Sequence, residues 1–385
     1  MKKIVSLALL FTFLLLMCLP VSQKASAKEY SMEIDAKSCI LMEAETGTVL
    51  FESNADTALP PASVTKIMTL LLAVEAIDAG KIALTDSVSV SAEAAAMGGS
   101  QVFLEAGECM TVEELIKCVV IASANDAAYA LAEYVAGSED AFVARMNERA
   151  AELGMKNTHF ENTNGLDDTV SEHLTSARDI AIMSRELISH EIILAYTTIW
   201  QDSIRNGSFT LTNTNRLVRF YPGATGLKTG STSRALYCMS ATAERDGMHL
   251  IAVVMGAPTR DIRNAEAKKL LDYGFANYSL YTDTSKDLAR LPVLGGVEKD
   301  VGILGTEFTV LLKKGEEKRL EKTQVLPRSV NAPVKAGETV GYTEYSLDGT
   351  VIGKADIVAG ESAKRITFGE LLGCLVRSML GCFDS

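Results

Sequence analysis

Three short patterns in the 385-residue chain carry side chains able to do chemistry together. Ser63-Val64-Thr65-Lys66 places a hydroxyl and an amine three residues apart, which a helical turn brings to one side. A serine hydroxyl is a weak nucleophile that needs an adjacent base. Burial disfavours the charged form of lysine, so a buried Lys66 is suited to take the Ser63 proton. A helix N-terminus at that point also aims backbone N–H groups and positive dipole at an oxyanion. Ser123-Ala124-Asn125 offers a second hydroxyl and an amide, and Lys228-Thr229-Gly230 adds a cation, a hydroxyl and a residue without a side chain, beside which a substrate can lie close. Taken alone, S-x-x-K is weak, since a lysine one turn into an apolar helix can equally snorkel to the surface. The trio in this order, each in its expected context, is far more specific.

The elements that must position these groups are legible in outline. Cys39–Met42 and Val49–Phe51, separated by Glu45-Thr46-Gly47, read as a β-hairpin. From Ser63 to Ala79 the chain is apolar on nearly every side, which marks a buried helix, with Gly80 as its stop. Thr111-Val112-Glu113-Glu114 is a capping box that opens a helix towards Ile121, and a second helix follows from Asp126, leaving Ser123 and Asn125 in the break. Further helices are expected over Ala141–Leu153, from Ser176 to Ile188, and over Ala265–Tyr273. Strands are expected over Leu227–Ser231, Ala235–Ala243 and Leu250–Met255. After about Thr284 short β-like runs (Val301–Leu304, Phe308–Leu312, Thr339–Tyr342, Val351–Ile357) alternate with glycine-containing turns, which indicates a separate small all-β domain.

The two ends look like targeting devices. Lys2 and Lys3, an apolar run from Ile4 to Val21 and the small residues Ala25-Ser26-Ala27 form a secretory signal pattern, with an uncleaved membrane anchor as the alternative. At the other end Phe368, Leu371, Leu372, Leu375, Val376, Met379 and Phe383 recur at spacings of three and four, with Lys364, Arg365 and Arg377 nearby. That pattern suits an amphipathic helix lying on an anionic membrane surface, or packed on its own domain. Acidic residues outnumber basic ones 49 to 37, for a formal charge of −12, and no basic run interleaves with aromatics, so nucleic acid is a poor partner. Outside the leader, which holds Cys18, the cysteines are Cys39, Cys109, Cys118, Cys238, Cys374 and Cys382. Their low density suits free thiols rather than a disulfide framework. With no C-x-x-C, scattered histidines, and His190-Glu191 lacking a second histidine, neither a metal site nor a cofactor is expected.

S-x-x-K, S-x-N and K-T-G in sequence resemble the signature shared by class A β-lactamases and penicillin-binding proteins, where Asp is the usual middle residue of the second motif. Together with Pro60-Pro61-Ala62-Ser63, Asn164-Gly165-Leu166-Asp167, Gly226-Leu227 and Val253-Val254-Met255-Gly256-Ala257, they make the chain similar to low-molecular-mass penicillin-binding proteins of the serine D-alanyl-D-alanine carboxypeptidase type. The resemblance implies an α/β (α+β) catalytic fold of the serine β-lactamase and penicillin-binding-protein kind, an antiparallel sheet flanked by helices. It divides the chain into a signal peptide (1–27), a catalytic domain (28–280), a β-rich C-terminal domain (285–363) and a membrane-associating helix (364–385). By the same resemblance Ser63 attacks the penultimate D-Ala carbonyl with Lys66 as base, and Ser123 relays a proton while Asn125 holds the substrate backbone. Backbone N–H groups of Ser63 and Ser231 form the oxyanion hole, Lys228, Thr229 and Arg263 sit against the terminal carboxylate, and Gly230 is a substrate-binding residue along which the substrate lies. An Arg263 serving only as a surface salt-bridge residue at a helix start is the alternative. Some relatives carry His where Ser231 stands, so no side-chain role is expected there. Stem peptides ending in D-Ala-D-Ala and β-lactam antibiotics are the implied partners, at the outer face of the bacterial cytoplasmic membrane or in the cell wall. A class A β-lactamase is the enzyme rival, but no glutamate between the second and third motifs has an Asn four residues later. A catalytically dead scaffold is the non-enzyme rival, against which all six intact polar motif residues argue.

Overall fold

The structure, a computed structural model, describes residues 32–379. The expected signal segment with Cys18, and Cys382 and Phe383 at the other end, lie outside the described residues. The hairpin forms as β1 (Ser38–Glu43) and β2 (Val49–Ser53). Three long strands, β3 (Ala224–Thr232), β4 (Leu236–Arg245) and β5 (Met248–Ala257), join it in one antiparallel sheet ordered β2-β1-β5-β4-β3. Successive strand side chains point to opposite faces, and both faces here are covered. Ile40, Met42, Ile251, Val253 and Met255 enter the large helical core. The alternate residues Leu41 and Leu250 meet helix Arg260–Asn277 at Gly274, where an added Cβ would lie 2.5 Å from Leu250. A larger residue there would have to push the Leu250 and Leu41 side chains aside.

The helical core surrounds α1 (Lys66–Asp78), buried at nine of its positions, which contacts α2 (Asn125–Ala136) and α3 (Ala177–Ser189). Its all-round apolar sequence is explained by this central place. The nucleophile candidate does not sit in α1, however. Ala62–Thr65 form a single 3₁₀ turn before it. The Thr111–Glu114 capping box is present in both directions, at 3.2 and 3.0 Å, but the helix it opens runs only from Val112 to Lys117. It then widens into a π-helical turn, Cys118–Ala122, ending at Ser123 in the left-handed region (φ 62°). Such π turns occur frequently at functional sites.

The last helix of this region is longer than its apolar pattern suggested, and strand Tyr278–Asp283 follows it directly and pairs with Phe308–Lys313. A six-stranded sheet then holds Leu320–Val325, Thr339–Leu347, Thr350–Ala359, Asp300–Gly305, Asp287–Leu294 and Val330–Asn331, in that order, with only the last pair parallel. Its small core contains Val301, Ile303, Val334, Ile357 and Ala359. A terminal helix, Phe368–Met379, ends the described chain. Among the described residues Cys39, Cys109, Cys118 and Cys238 are unpaired thiols.

Candidate active site

The three motifs converge. The 3₁₀ turn brings Lys66 Nζ to 3.0 Å from Ser63 Oγ, and the amine lies at 2.6 Å from Asn125 Oδ1 and 2.8 Å from the Asn164 carbonyl oxygen. The Asn125 amide has a fixed orientation, because its Nδ2 donates to the Gly98 carbonyl at 2.7 Å. Both carbonyl-type oxygens can only accept, so they take two amine hydrogens. A neutral amine then has its lone pair left for the third partner, the Ser63 hydroxyl. Lys66 is fully buried, and that burial, together with the nearby charge of Lys228, holds its pKa well below the ordinary lysine range. Geometry and electrostatics both suit a neutral lysine able to accept a proton from Ser63.

Lys228 forms the second node. Its ammonium lies 2.8 Å from Ser123 Oγ and 2.9 Å from the Thr229 carbonyl. Burial and the charge of Arg263 lower its pKa to about 7. Thr229 donates to Thr214 Oγ1 at 2.8 Å. Gly230 meets the protein's own backbone: a Cβ there would stand 2.8 Å from Ser63 N and 2.9 Å from the Pro61 carbonyl. The absence of a side chain there permits a close approach between β3 and the nucleophile's turn. Ser231 is exposed at the end of that run.

Arg263 is 3% exposed, donates to Asn264 Oδ1 at 2.9 Å and to the Cys238 carbonyl at 3.5 Å, and forms no salt bridge to a described carboxylate. The surface salt-bridge alternative fails. Burial and Arg260 bring its pKa down to about 10. Glu75, Glu186 and His190 gather metal-ligating atoms and include none of the motif residues, but Arg149 already bonds both carboxylates, at 2.8 and 2.6 Å, and His190 Nδ1 meets Asp78. A cavity of about 840 Å³ lined by Met42, Val49, Arg178, Arg185 and His249 shares no residue with the motifs. Its Ser189 hydroxyl donates to the Glu186 carbonyl and its His249 Nε2 bonds Thr225 Oγ1, so each has another partner.

Sequence reasoning missed several supports. Asn162 and Asn164 close local turns by accepting Gly165 N at 2.7 Å and Leu166 N at 2.9 Å, which presents the Asn164 carbonyl to Lys66. Gly165, at φ 85°, passes so near Ala62 that a Cβ would overlap its carbonyl oxygen. Asp126, 1% exposed, accepts the Val102 and Leu104 N–H groups at 3.1 and 3.0 Å and pins the loop whose Ser100 carbonyl accepts Asn125 N at 2.7 Å. The Asn-Gly pair at 164–165 was the available signal.

Comparison with known proteins decides the family. The model of the D-alanyl-D-alanine carboxypeptidase family matches residues 22–259, and the C-terminal domain of penicillin-binding protein 5 matches 279–365. The chain belongs to the D-alanyl-D-alanine carboxypeptidase family. Its relatives include the carboxypeptidase DacF of Bacillus subtilis, 42% identical with 96% of each chain covered. DacC of Escherichia coli is 36% identical with 88% of each covered. Among solved structures, penicillin-binding protein 5 of Haemophilus influenzae superposes with a TM-score of 0.75 at 31% identity, covering 87% of this chain and 99% of that one. The mixed helical and antiparallel catalytic fold with its β-rich C-terminal region is thus the carboxypeptidase family's fold, and serine peptidase chemistry is the family's chemistry.

Proposed function

We infer that Ser63 is the nucleophile of this serine-type D-alanyl-D-alanine carboxypeptidase, with Lys66 its general base. The observation that carries this is the Lys66 amine, buried and committed to two acceptors, with Ser63 Oγ as its third neighbour at 3.0 Å. Ser63 Oγ attacks the carbonyl carbon of the penultimate D-Ala as its proton passes to Lys66. The N–H groups of Ser63 and Ser231 receive the oxyanion; the packing of Gly230 on Ser63 N supports their closeness. As the C–N bond breaks, the proton held by Lys66 passes through Ser123, which Lys228 orients, to the leaving D-Ala amine, and Lys66 is neutral again. Asn125 holds both Lys66 and the substrate backbone. Water then attacks the ester, returning Ser63 and the shortened peptide. Lys228, Thr229 and Arg263 bind the terminal carboxylate. Penicillin, with its own carboxylate and strained amide, enters the same route and stops at the acyl-enzyme. Labelled penicillin should modify Ser63, the Ser63→Ala protein should stay unlabelled, and a pentapeptide ending in D-Ala-D-Ala should release D-Ala. Labelling that survives Ser63→Ala refutes the assignment.

The division into residues 1–27, 28–280, 285–363 and 364–385 belongs to the same proposal; the family matches over 22–259 and 279–365 support its separation of a catalytic from a C-terminal region. So does export to the outer face of the cytoplasmic membrane, resting on the signal-like first 27 residues. No helix of the described residues is long and apolar enough to cross a membrane. A helix lying on the surface needs only an apolar face, and Phe368, Leu371, Leu372, Leu375, Val376 and Met379 are all exposed large apolar side chains. Truncation after Lys364 should release the protein from membranes, and retention would refute this anchor.

A further inference from the structure

The turn that carries Ser63 is held from beneath by groups that take no part in the steps above. Ala62, just before the nucleophile, is a buried non-glycine residue in the left-handed region (φ 49°), a conformation that persists only when its surroundings enforce it. Its carbonyl accepts from Thr65 Oγ1 at 2.9 Å, and Thr65 Oγ1 lies 2.8 Å from His173 Nε2. His173 Nδ1 accepts the Glu161 backbone N–H at 3.0 Å.

Every role in this chain is fixed by chemistry. A backbone N–H only donates, so Nδ1 carries no proton, and a carbonyl only accepts, so Thr65 spends its hydrogen on Ala62. The proton of the neutral imidazole therefore sits on Nε2 and points at Thr65. Thr65 is fully buried and His173 is 2% exposed, with the Phe160 ring edge-on to the imidazole at 5.7 Å. Burial holds the His173 pKa down, to about 4, so the imidazole stays neutral across the physiological range. Gly165 closes in on the same Ala62 carbonyl.

We propose that Thr65 and His173 are positioning residues for acylation: their hydrogen-bonded chain from Glu161 to the Ala62 carbonyl fixes the strained turn that sets both Ser63 Oγ against Lys66 and the Ser63 N–H as oxyanion donor. This rests on Ser63 being the nucleophile. A displacement on the order of 1 Å at a reacting group costs about a hundredfold in rate, so a loosened turn should slow the chemical step while leaving the carboxylate-binding groups in place.

The test uses the full chain and a labelled penicillin, with noncovalent binding and the acylation rate constant at saturation measured separately by stopped flow. Thr65→Val, which keeps the shape and removes the hydroxyl, should slow acylation about tenfold or more with binding changed less than about threefold. Thr65→Ser, which restores the hydroxyl, should acylate within about threefold of wild type. His173→Gln should fall between them. Wild-type acylation by Thr65→Val, or an equal loss in Thr65→Ser, overturns the proposal. The nitrogen-15 NMR signature of the His173 imidazole in the unmodified protein tests the chain without any variant: an Nε2–H tautomer is expected, and an Nδ1–H tautomer refutes it. Label at a residue other than Ser63 would instead refute the nucleophile assignment on which the proposal rests.

Discussion

Gly230→Ala isolates what the Lys-Thr-Gly glycine contributes. Gly230 is not in the positive-φ region, so alanine suits its backbone and the whole effect is steric. The new methyl would stand 2.8, 2.9 and 3.0 Å from Ser63 N, the Pro61 carbonyl oxygen and Val64 N, where ordinary contact begins at 3.4 Å. Those are backbone atoms with no rotamer to yield, so β3 or the turn must shift by roughly 0.4–0.6 Å at a cost of about 1–3 kcal/mol for overpacking. β3 is an edge strand of the sheet and gives more readily than a turn pinned by Thr65, Gly165 and Lys66. Its movement carries Lys228 and the Ser231 N–H away from Ser63. If 1 Å costs about a hundredfold, half that displacement predicts about a tenfold slower acylation, or about 1.4 kcal/mol on the barrier. Stopped-flow acylation by penicillin and a thermal melt measure the two effects, with Gly369→Ala, whose added Cβ meets nothing, as control. A Gly230→Ala protein that acylates at the wild-type rate with an unchanged Tm refutes the claim that this contact sets the site.

Two further substitutions probe the charges. Acylation needs neutral Lys66, so its rate falls as pH drops through the Lys66 pKa; Lys228→Gln removes a cation that lowers that pKa and should move the acid limb of the residual acylation profile to higher pH. An acid limb that stays in place or moves down contradicts the coupling. Arg263→Ala should raise the KM for a D-Ala-D-Ala peptide about tenfold or more, the worth of a hydrogen bond to a charged group, with kcat changed less. It should also raise the Lys228 pKa above about 7, since the Arg263 charge helps to lower it. An unchanged KM removes Arg263 from the carboxylate site.

The site was legible where its geometry is local and obscure where it is not. Ser63 and Lys66 meet within one turn, so their spacing announced them, although the turn is 3₁₀ rather than the start of α1. Ser123 and Asn125 were readable because two helical patterns visibly break there, and the break proves to be a π turn closing on a left-handed serine. The Asn164 carbonyl is 98 residues from Lys66, and a backbone oxygen leaves no mark on side-chain pattern. Arg263 kept two readings because burial is a tertiary property; one helix turn looks alike in sequence whether it faces solvent or β4. In the β-rich region the strands found had apolar runs, whereas Leu320–Val325 is exposed at almost every position and carries no alternation to detect. Strand Tyr278–Asp283 was hidden by following the long helix without a turn signal.

The three neighbours of Lys66 also explain how one lysine serves before and after proton transfer. While the amine is neutral, Asn125 and Asn164 occupy its two hydrogens and direct its lone pair at Ser63. Once it has taken the serine proton it has three hydrogens, and the same two oxygens stabilise the new ammonium while the third hydrogen faces the Ser63 oxygen of the tetrahedral intermediate, until a proton passes on through Ser123 to the leaving amine. No partner has to move between the two states, which is the preorganisation that makes a buried charge tolerable at the moment it forms. Burial and Lys228 push the resting amine towards neutrality, and Asp126, the nearby carboxylate, pulls the other way. Neutrality wins at rest because desolvation is the largest of these influences, and the ammonium is reached only when Ser63 supplies the proton during attack.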